Sequence, residues 1–514
     1  MNMLYFSPYT NLLKLSFMKM KKYLSFIAGA LLCVSATAQI ELSHRSTSLV
    51  EIGKLKNLTS KEIESSKLGI GFETLDRKVF DPSNYYDKVG QIGVKWARCQ
   101  TGWARTETEK GKYDFSWLDD VVDNLLKRGI QPWFNVGYGN PIYMGKVSNP
   151  TAVGYIPLYY GEECVQAWKN YVRNLAEHFK GRVHHFEIWN EPEINPFWQP
   201  KKADPVEYAK MIKITAEEIK KANPNAIIGA CSAMQYGDYT ETLFENAGKL
   251  LDFYSVHAYC MIPEHNYPNH IKSLRQLMKD CGMKTQIWQG ETGFPSKIPA
   301  KSWVGKALAW HGSNETMQAK SMLRRYITDL RCGIDMTSFF MVTDFSPSYI
   351  KGDGNGMNTE AVWGIIENKE GYRPKKVYYV MRNFCSMFSN KTTPAEHCFR
   401  IDLRSVYPTH SPTSKLAVVA TSNVLSSYTR NGHPVFCYYM PEDPQMEMRT
   451  IENISMEIRT KKMPKNPVLI DMMNGKVYKI SDVGKKYLRG LPLTDYPLFV
   501  TDLDAISDIF IPNK

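Results

Sequence analysis

Two stretches of the chain present a carboxylate where a strand should stop. Residues 183–198 read VHHFEIWNEPEINPFW. The β-branched and aromatic run Phe186-Glu187-Ile188-Trp189 ends at Asn190-Glu191-Pro192, because Pro192 has no N–H with which to continue a ladder. A side-chain period of two places Glu187, Trp189 and Glu191 on one face, with Glu191 at the strand tip above residues that fill an interior. Further on, Thr285-Gln286-Ile287-Trp288-Gln289 runs into Gly290-Glu291-Thr292-Gly293, whose glycines let backbone and ligand approach closely. Two carboxyl groups on one rim can divide the work of proton transfer and nucleophilic attack, one neutral and one ionised. Parallel α/β folds place chemistry at that end of their strands.

The elements that must bring the two together follow a regular order. A chain of 514 residues suits a barrel of about 250 residues or more with an accessory domain. From residue 66 strands and helices alternate, the pattern of a parallel sheet with crossover helices. Strands are predicted at 68–72, 94–98, 131–136, 186–189, 226–230, 253–257, 285–289 and 336–342. Helices are predicted at 85–91, 114–127, 162–180, 205–222, 240–249, 270–281, 315–331 and 372–388. Pro205 behind an Asp204 cap starts one of them. Eight units close a barrel, so the fold class expected is α/β, a (β/α)8 TIM barrel over 66–389, with Glu191 ending the fourth strand and Glu291 the seventh. Beyond it, alternating runs at 416–420, 435–439, 451–458, 468–472, 476–480 and 498–501 predict a C-terminal all-β sandwich over 390–514. Residues 39–65 offer that sandwich a further strand.

Asn190-Glu191-Pro192 at a fourth strand end resembles the acid/base signature of the clan A glycoside hydrolases, a retaining group built on a (β/α)8 barrel. The resemblance implies that Glu191 is the acid/base, that Asn190 contacts the sugar 2-hydroxyl, and that the nucleophile is Glu291 on the seventh strand. Arg98 resembles the clan's arginine that hydrogen-bonds the nucleophile; the alternative is an interior ion pair with Glu187. His257 and Tyr259 resemble a His-x-Tyr pair whose phenol touches the nucleophile. Asn135, Tyr138 and Asn140, at the third strand end, are candidates for sugar hydroxyls. Trp103, Trp198, Phe340 and Trp363 are candidates for stacking on a pyranose, against the alternative that they are core. The runs 94–102, 187–191 and Asn195-Pro196-Phe197-Trp198 resemble family 39, the β-xylosidase and α-L-iduronidase group. The chain departs from that family at Gln100, where a histidine is usual, and at Gly290-Glu291-Thr292-Gly293, which lacks the usual Thr-Glu-aromatic pattern.

The remaining signals bound the setting. Lys19, Lys21 and Lys22 precede an apolar run, 23–34, and the small-residue site Ala36-Thr37-Ala38, so residues 1–38 read as a bacterial-type signal peptide, with Met18 or Met20 as an alternative start. That run is too short to span a bilayer. An exported protein, periplasmic or extracellular, is expected. Net charge is +12, of which four lysines lie in residues 1–38, leaving +8. These charges are scattered along helices, which argues against nucleic acid as a partner and for a solvated surface. The nine cysteines after residue 38 form no CxxC pair and no Cys/His ligand spacing. The resemblance implies a carbohydrate substrate as the partner, with no metal and no organic cofactor. A non-catalytic carbohydrate-binding barrel is the rival reading; it has no reason to keep both Glu191 and Glu291.

Overall fold

The computed structural model describes residues 48–147, 149–233, 237–298, 313–345, 362–403, 423–444, 450–460 and 463–514. The leader at 1–38, the strand expected at 416–420 and most of the loop at 346–363 lie outside them. Strand β1 (Leu49–Leu55) is followed by eight parallel strands: β2 (Leu68–Gly71), β3 (Trp96–Gln100), β4 (Gln131–Val136), β5 (His185–Ile188), β6 (Ile227–Ser232), β7 (Phe253–Val256), β8 (Gln286–Thr292) and β9 (Met336–Phe339). They close into a barrel, with β9 pairing back to β2. Helices Ser116–Lys127, Gly161–His178, Pro205–Ala222 and Glu315–Arg331 cover its outside. Asp204 caps the third of these through the N–H groups of Val206 and Glu207, as Pro205 at N1 predicts.

The barrel interior changes chemistry with height. At the bottom Trp133, Phe253, Trp288 and Met336 form a separate apolar cluster, with Phe253 stacked on Trp288 at 4.1 Å. One pleat higher in the barrel stand Arg98 of β3, Asn135 of β4, Glu187 of β5 and Ser255 of β7, all fully buried. Above these, at the C-terminal rim, are Glu73, Glu191, His257 and Glu291. An apolar floor beneath a buried polar layer raises the strength of every charge interaction at the rim, because no water screens it from below.

The second half of the chain is antiparallel. One sheet has the order β10 (Thr392–Pro394), β12 (Val424–Arg430), β13 (His433–Tyr439), β18 (Leu498–Asp502), β15 (Pro467–Asp471), β16 (Lys476–Ile480), β1 and β19 (Phe510–Pro512). The other holds β11 (Phe399–Asp402), β14 (Thr450–Ile458) and β17 (Tyr487–Thr494). The N-terminal segment does supply a strand: β1 pairs with β16, Val50 opposite Lys479. Of the nine cysteines all are free thiols, and Cys99, Cys164, Cys231, Cys385 and Cys437 are buried. No helix among the described residues is long and apolar enough to cross a membrane.

A buried ion pair ties the sheets to the loop that follows β7. Arg324, on helix Glu315–Arg331, grips both oxygens of Glu264 at 2.8 Å from Nε and Nη2, and Tyr439 of β13 donates its hydroxyl to Glu264 at 2.8 Å. Arg324 is fully buried, so removing it strands an unpaired carboxylate in a dry site. Arg324→Ala is expected to lower stability by about 3–5 kcal/mol in denaturant unfolding, and Tyr439→Phe by only about 1 kcal/mol.

Candidate active site

Strand β5 ends differently from its sequence pattern. The strand stops at Ile188, and Trp189 and Glu191 both take left-handed backbone angles, φ +67° and +41°. Non-glycine residues there cost on the order of 1–3 kcal/mol each and need support from their surroundings. That support is visible. Asn135 Nδ2 donates to Trp189 O at 2.5 Å, the Cys231 thiol donates to the same carbonyl at 3.3 Å, and the Glu191 N–H reaches Cys231 Sγ at 3.2 Å. Tyr208 donates its hydroxyl to Ile188 O at 2.6 Å. The expectation that Glu187, Trp189 and Glu191 share one face is therefore corrected: alternation is broken, and Trp189 turns outward to pack against Trp168 and Tyr138. Glu191 still arrives on the rim, because the turn swings it back.

Strand β8 aims Glu291 by another device. Gln289 pairs with Thr337 and Thr292 with Phe339, so one extra residue bulges out at Gly290-Glu291. Gly290 is required there, since a Cβ would lie 1.9 Å from Ser255 Oγ. Glu291 Oε1 accepts a hydrogen bond from the Tyr259 hydroxyl at 2.7 Å, and its Oε2 accepts one from Arg98 Nη1 at 2.9 Å.

The two carboxyl groups meet around His257. Its Nδ1 lies 2.9 Å from Glu191 Oε1 and 3.7 Å from Glu291 Oε2. One oxygen of each carboxyl and a His257 ring nitrogen all fall within 4.8 Å of one another. That trio, and Glu187, Cys231 and His257, are the groups among the described residues whose donor atoms lie close enough together to hold a metal ion. Burial pushes Glu191 up to about 7, against the lowering effect of Arg98 and helped by the charge of Glu187. Burial, with Arg98, lowers His257 to about 4, so its ring is neutral at pH 7. Burial also opposes ionisation of Glu187, but the charge of Arg98 wins and holds that carboxyl below its usual range. Burial and the charge of Glu291 raise the Tyr259 phenol well above its ordinary range, so it stays a donor.

Arg98 makes both contacts weighed for it, to Glu187 and to Glu291. It is bonded to Glu187 through Nε at 3.1 Å and through Nη2, and to Glu291 through Nη1. Its Nη2 also donates to Asn190 Oδ1 at 2.9 Å, which fixes the Asn190 amide and leaves Nδ2 as the spare donor.

Several expected ligand contacts are corrected by burial. Asn135 is fully buried and spends Nδ2 on Glu187 Oε1 at 2.9 Å and on Trp189 O. Trp198 is fully buried, its Nε1 donating to Tyr159 and its ring against Tyr208, so it has no free face for a sugar. Trp103 is likewise fully buried, and Asn140 caps helix Pro141–Met144 and donates to Glu107 O. Tyr138 is 1% exposed, its hydroxyl accepting from Gln100 Nε2 at 3.1 Å. Phe340 and Trp363 do reach the rim, with the Trp363 ring 5.4 Å and the Phe340 ring 6.4 Å from that of Tyr259. Sequence reasoning missed Glu73, which donor Arg98 Nη1 reaches at 3.0 Å. The signal was there: just past the end of β2, Glu73 continues the period-two set of Gly69 and Gly71.

A closed parallel barrel with carboxyl groups at its fourth and seventh strand ends is the architecture of the clan A glycoside hydrolases. Within that class the chain resembles family 39, for residues 88–289 match the model described as Glycosyl hydrolases family 39. A β-xylosidase of Geobacillus stearothermophilus is 27% identical over 170 residues, 30% of this chain and 32% of that protein. The chain spans about a third of the length of the curated relatives it matches. Among solved structures, a family 39 glycoside hydrolase from Bacteroides cellulosilyticus superposes with a TM-score of 0.58 at 19% identity, covering 85% of this chain and 80% of that one. A family 39 β-xylosidase from Caulobacter crescentus gives 0.55 at 12% identity, covering 88% and 97%. At such identities these two likenesses speak for the fold.

Proposed function

We propose that the chain is an exported retaining glycoside hydrolase, with Glu291 as nucleophile and Glu191 as acid and then base. The observation that carries this reading is the closeness of the two carboxyl groups, bridged by His257 within 4.8 Å. Retaining enzymes hold their carboxyls about 5–5.5 Å apart, whereas inverting ones leave about 6.5–9.5 Å for a water. Arg98 and the Tyr259 hydroxyl give Glu291 two donors, while Glu191, in a dry setting at about 7, keeps the proton that a leaving group needs. Asn190 Nδ2 is the donor for a sugar 2-hydroxyl, and the rings of Tyr259, Phe340 and Trp363 form the apolar wall.

The substrate is a plant or host polysaccharide or its oligosaccharides. Likeness to β-xylosidases makes aryl β-xylosides the first probes, beside other aryl β-glycosides and polysaccharides. Release of the aryl group by purified protein is the expected result; binding of oligosaccharide without any turnover would favour the non-catalytic barrel instead. The signal-like pattern of residues 1–38 supports export, and a mature protein beginning near Gln39, periplasmic or extracellular, is expected.

The pH profile follows from the acid. Glu191 must be protonated for the first step, and its carboxyl is raised to about 7, so the acid is present below that pH and lost above it. On substrates with poor leaving groups kcat/KM is expected to fall about tenfold per pH unit beyond about 7. With a dinitrophenolate leaving group, which departs without a proton, that limb is expected to flatten. An alkaline limb of equal steepness for both would count against Glu191 as the acid.

A further inference from the structure

The guanidinium of Arg98 has five N–H groups, and all five are taken. Nε and one Nη2 hydrogen go to Glu187, the other Nη2 hydrogen to Asn190, and the two Nη1 hydrogens to Glu73 Oε2 at 3.0 Å and Glu291 Oε2 at 2.9 Å. The planar fork is rigid, so the two Nη1 directions are fixed relative to each other. Where Glu73 holds one, the other is aimed.

We propose that Glu73 is a positioning residue for Glu291, acting through the Arg98 Nη1 that the two carboxyl groups share. The inference rests on Glu291 being the nucleophile. Glu73 lies just past the end of β2, is 2% exposed, and has no hydrogen-bond partner for its Oε1. Room for it is made by Gly71, where a Cβ would lie 2.8 Å from that oxygen. A carboxyl in such a place serves Arg98 and little else.

Its charge state decides whether it helps or competes. The titratable groups that interact electrostatically with Glu73 are Arg98 and Cys99 from β3, Glu187 from β5, Tyr259 from the loop after β7 and Glu291 from β8. One cation cannot serve three carboxylates equally. Burial pushes Glu73 well above the carboxylate range, and the charges of Glu291 and Glu187 add more, together outweighing the pull of Arg98. In its protonated form Glu73 accepts the Nη1 hydrogen without drawing off charge, which leaves the cation to Glu187 and Glu291. A neutral amide should therefore replace it.

The test uses the full chain and a 2-fluoro aryl glycoside of the sugar that wild type hydrolyses, reading the rate at which Glu291 is labelled. Failure of wild type to label Glu291 would overturn the nucleophile assignment itself, before any Glu73 variant is compared. Given wild-type labelling, Glu73→Ala is expected to label about 10–100-fold more slowly, with half-saturation little changed. Glu73→Gln, which keeps the acceptor, is expected within about threefold of wild type. Should the alanine variant not fold, Glu73→Asp, one methylene too short to reach Nη1, must show the same slow labelling. Labelling at the wild-type rate in the alanine or aspartate variant, whatever its melting temperature, would overturn the proposal. So would a glutamine variant as slow as alanine.

Discussion

Glu191→Ala is expected to lose about two to four orders of magnitude in kcat/KM on glycosides with poor leaving groups, and far less on dinitrophenyl glycosides. The difference comes from the role. In the first step the leaving oxygen must receive a proton unless it is already a weak base, so an activated aryl group escapes the defect. The second step then lacks the base that activates water, so a glycosyl-enzyme accumulates and a burst of phenol precedes slow turnover. Azide needs no base and fits the space of the lost carboxyl, so it is expected to restore turnover and yield a glycosyl azide. The His257 ring is neutral and sits 2.9 Å from the vacated position, where it does not repel the anion electrostatically. Equal losses on every substrate, with no azide product, would remove Glu191 from the acid/base role.

Much of the scaffold was legible because its signals are local. The Asp204 cap with Pro205 predicts helix Pro205–Ala222 to the residue, and the run 131–136 predicts β4 to the residue. Missed elements are those whose local signal is weak. Strand β17 contains Gly490 and Pro492, which argue against a strand, and survives as an edge of the three-stranded sheet, where a missing N–H is tolerated. Strand β12, VLSSYTR, is polar on too many positions to stand out.

The rim residues divide in the same way. Type and strand order place Arg98, Glu191, His257 and Glu291 on one rim, and the structure brings them together, Glu291 on the Arg98 guanidinium and Glu191 on the His257 ring. Depth is another matter. Whether Asn135 or Trp198 faces a ligand or the interior depends on how far each lies below the rim and on what other strands bring beside it. The left-handed turn at Trp189 and Glu191 has no marker in residue type, since neither is glycine or asparagine. It is imposed by tertiary partners, Cys231 and Asn135 above all, that are distant in sequence.

Glu291→Ala is expected to remove at least about four orders of magnitude of turnover on every substrate, activated or not, because no other group can attack the anomeric carbon. This is the contrast with Glu191→Ala, whose defect depends on the leaving group. The geometry supports the proposal of Glu291, rather than its neighbour, as the nucleophile. Glu291 receives two donors, Arg98 Nη1 at 2.9 Å and the Tyr259 hydroxyl at 2.7 Å, whereas the dry setting of Glu191 favours the acid. Attack by Glu291 followed by water gives two inversions, so the first-formed sugar keeps the anomeric configuration of the substrate. A 2-fluoroglycoside should arrest the enzyme after the first inversion, with the sugar esterified to Glu291. Proton NMR of the product within the first turnovers is the sharpest measurement. Appearance of the inverted anomer, or a label on any other residue, would dismiss Glu291 as nucleophile, and with it the reading of Arg98 and Tyr259 as the groups that serve it.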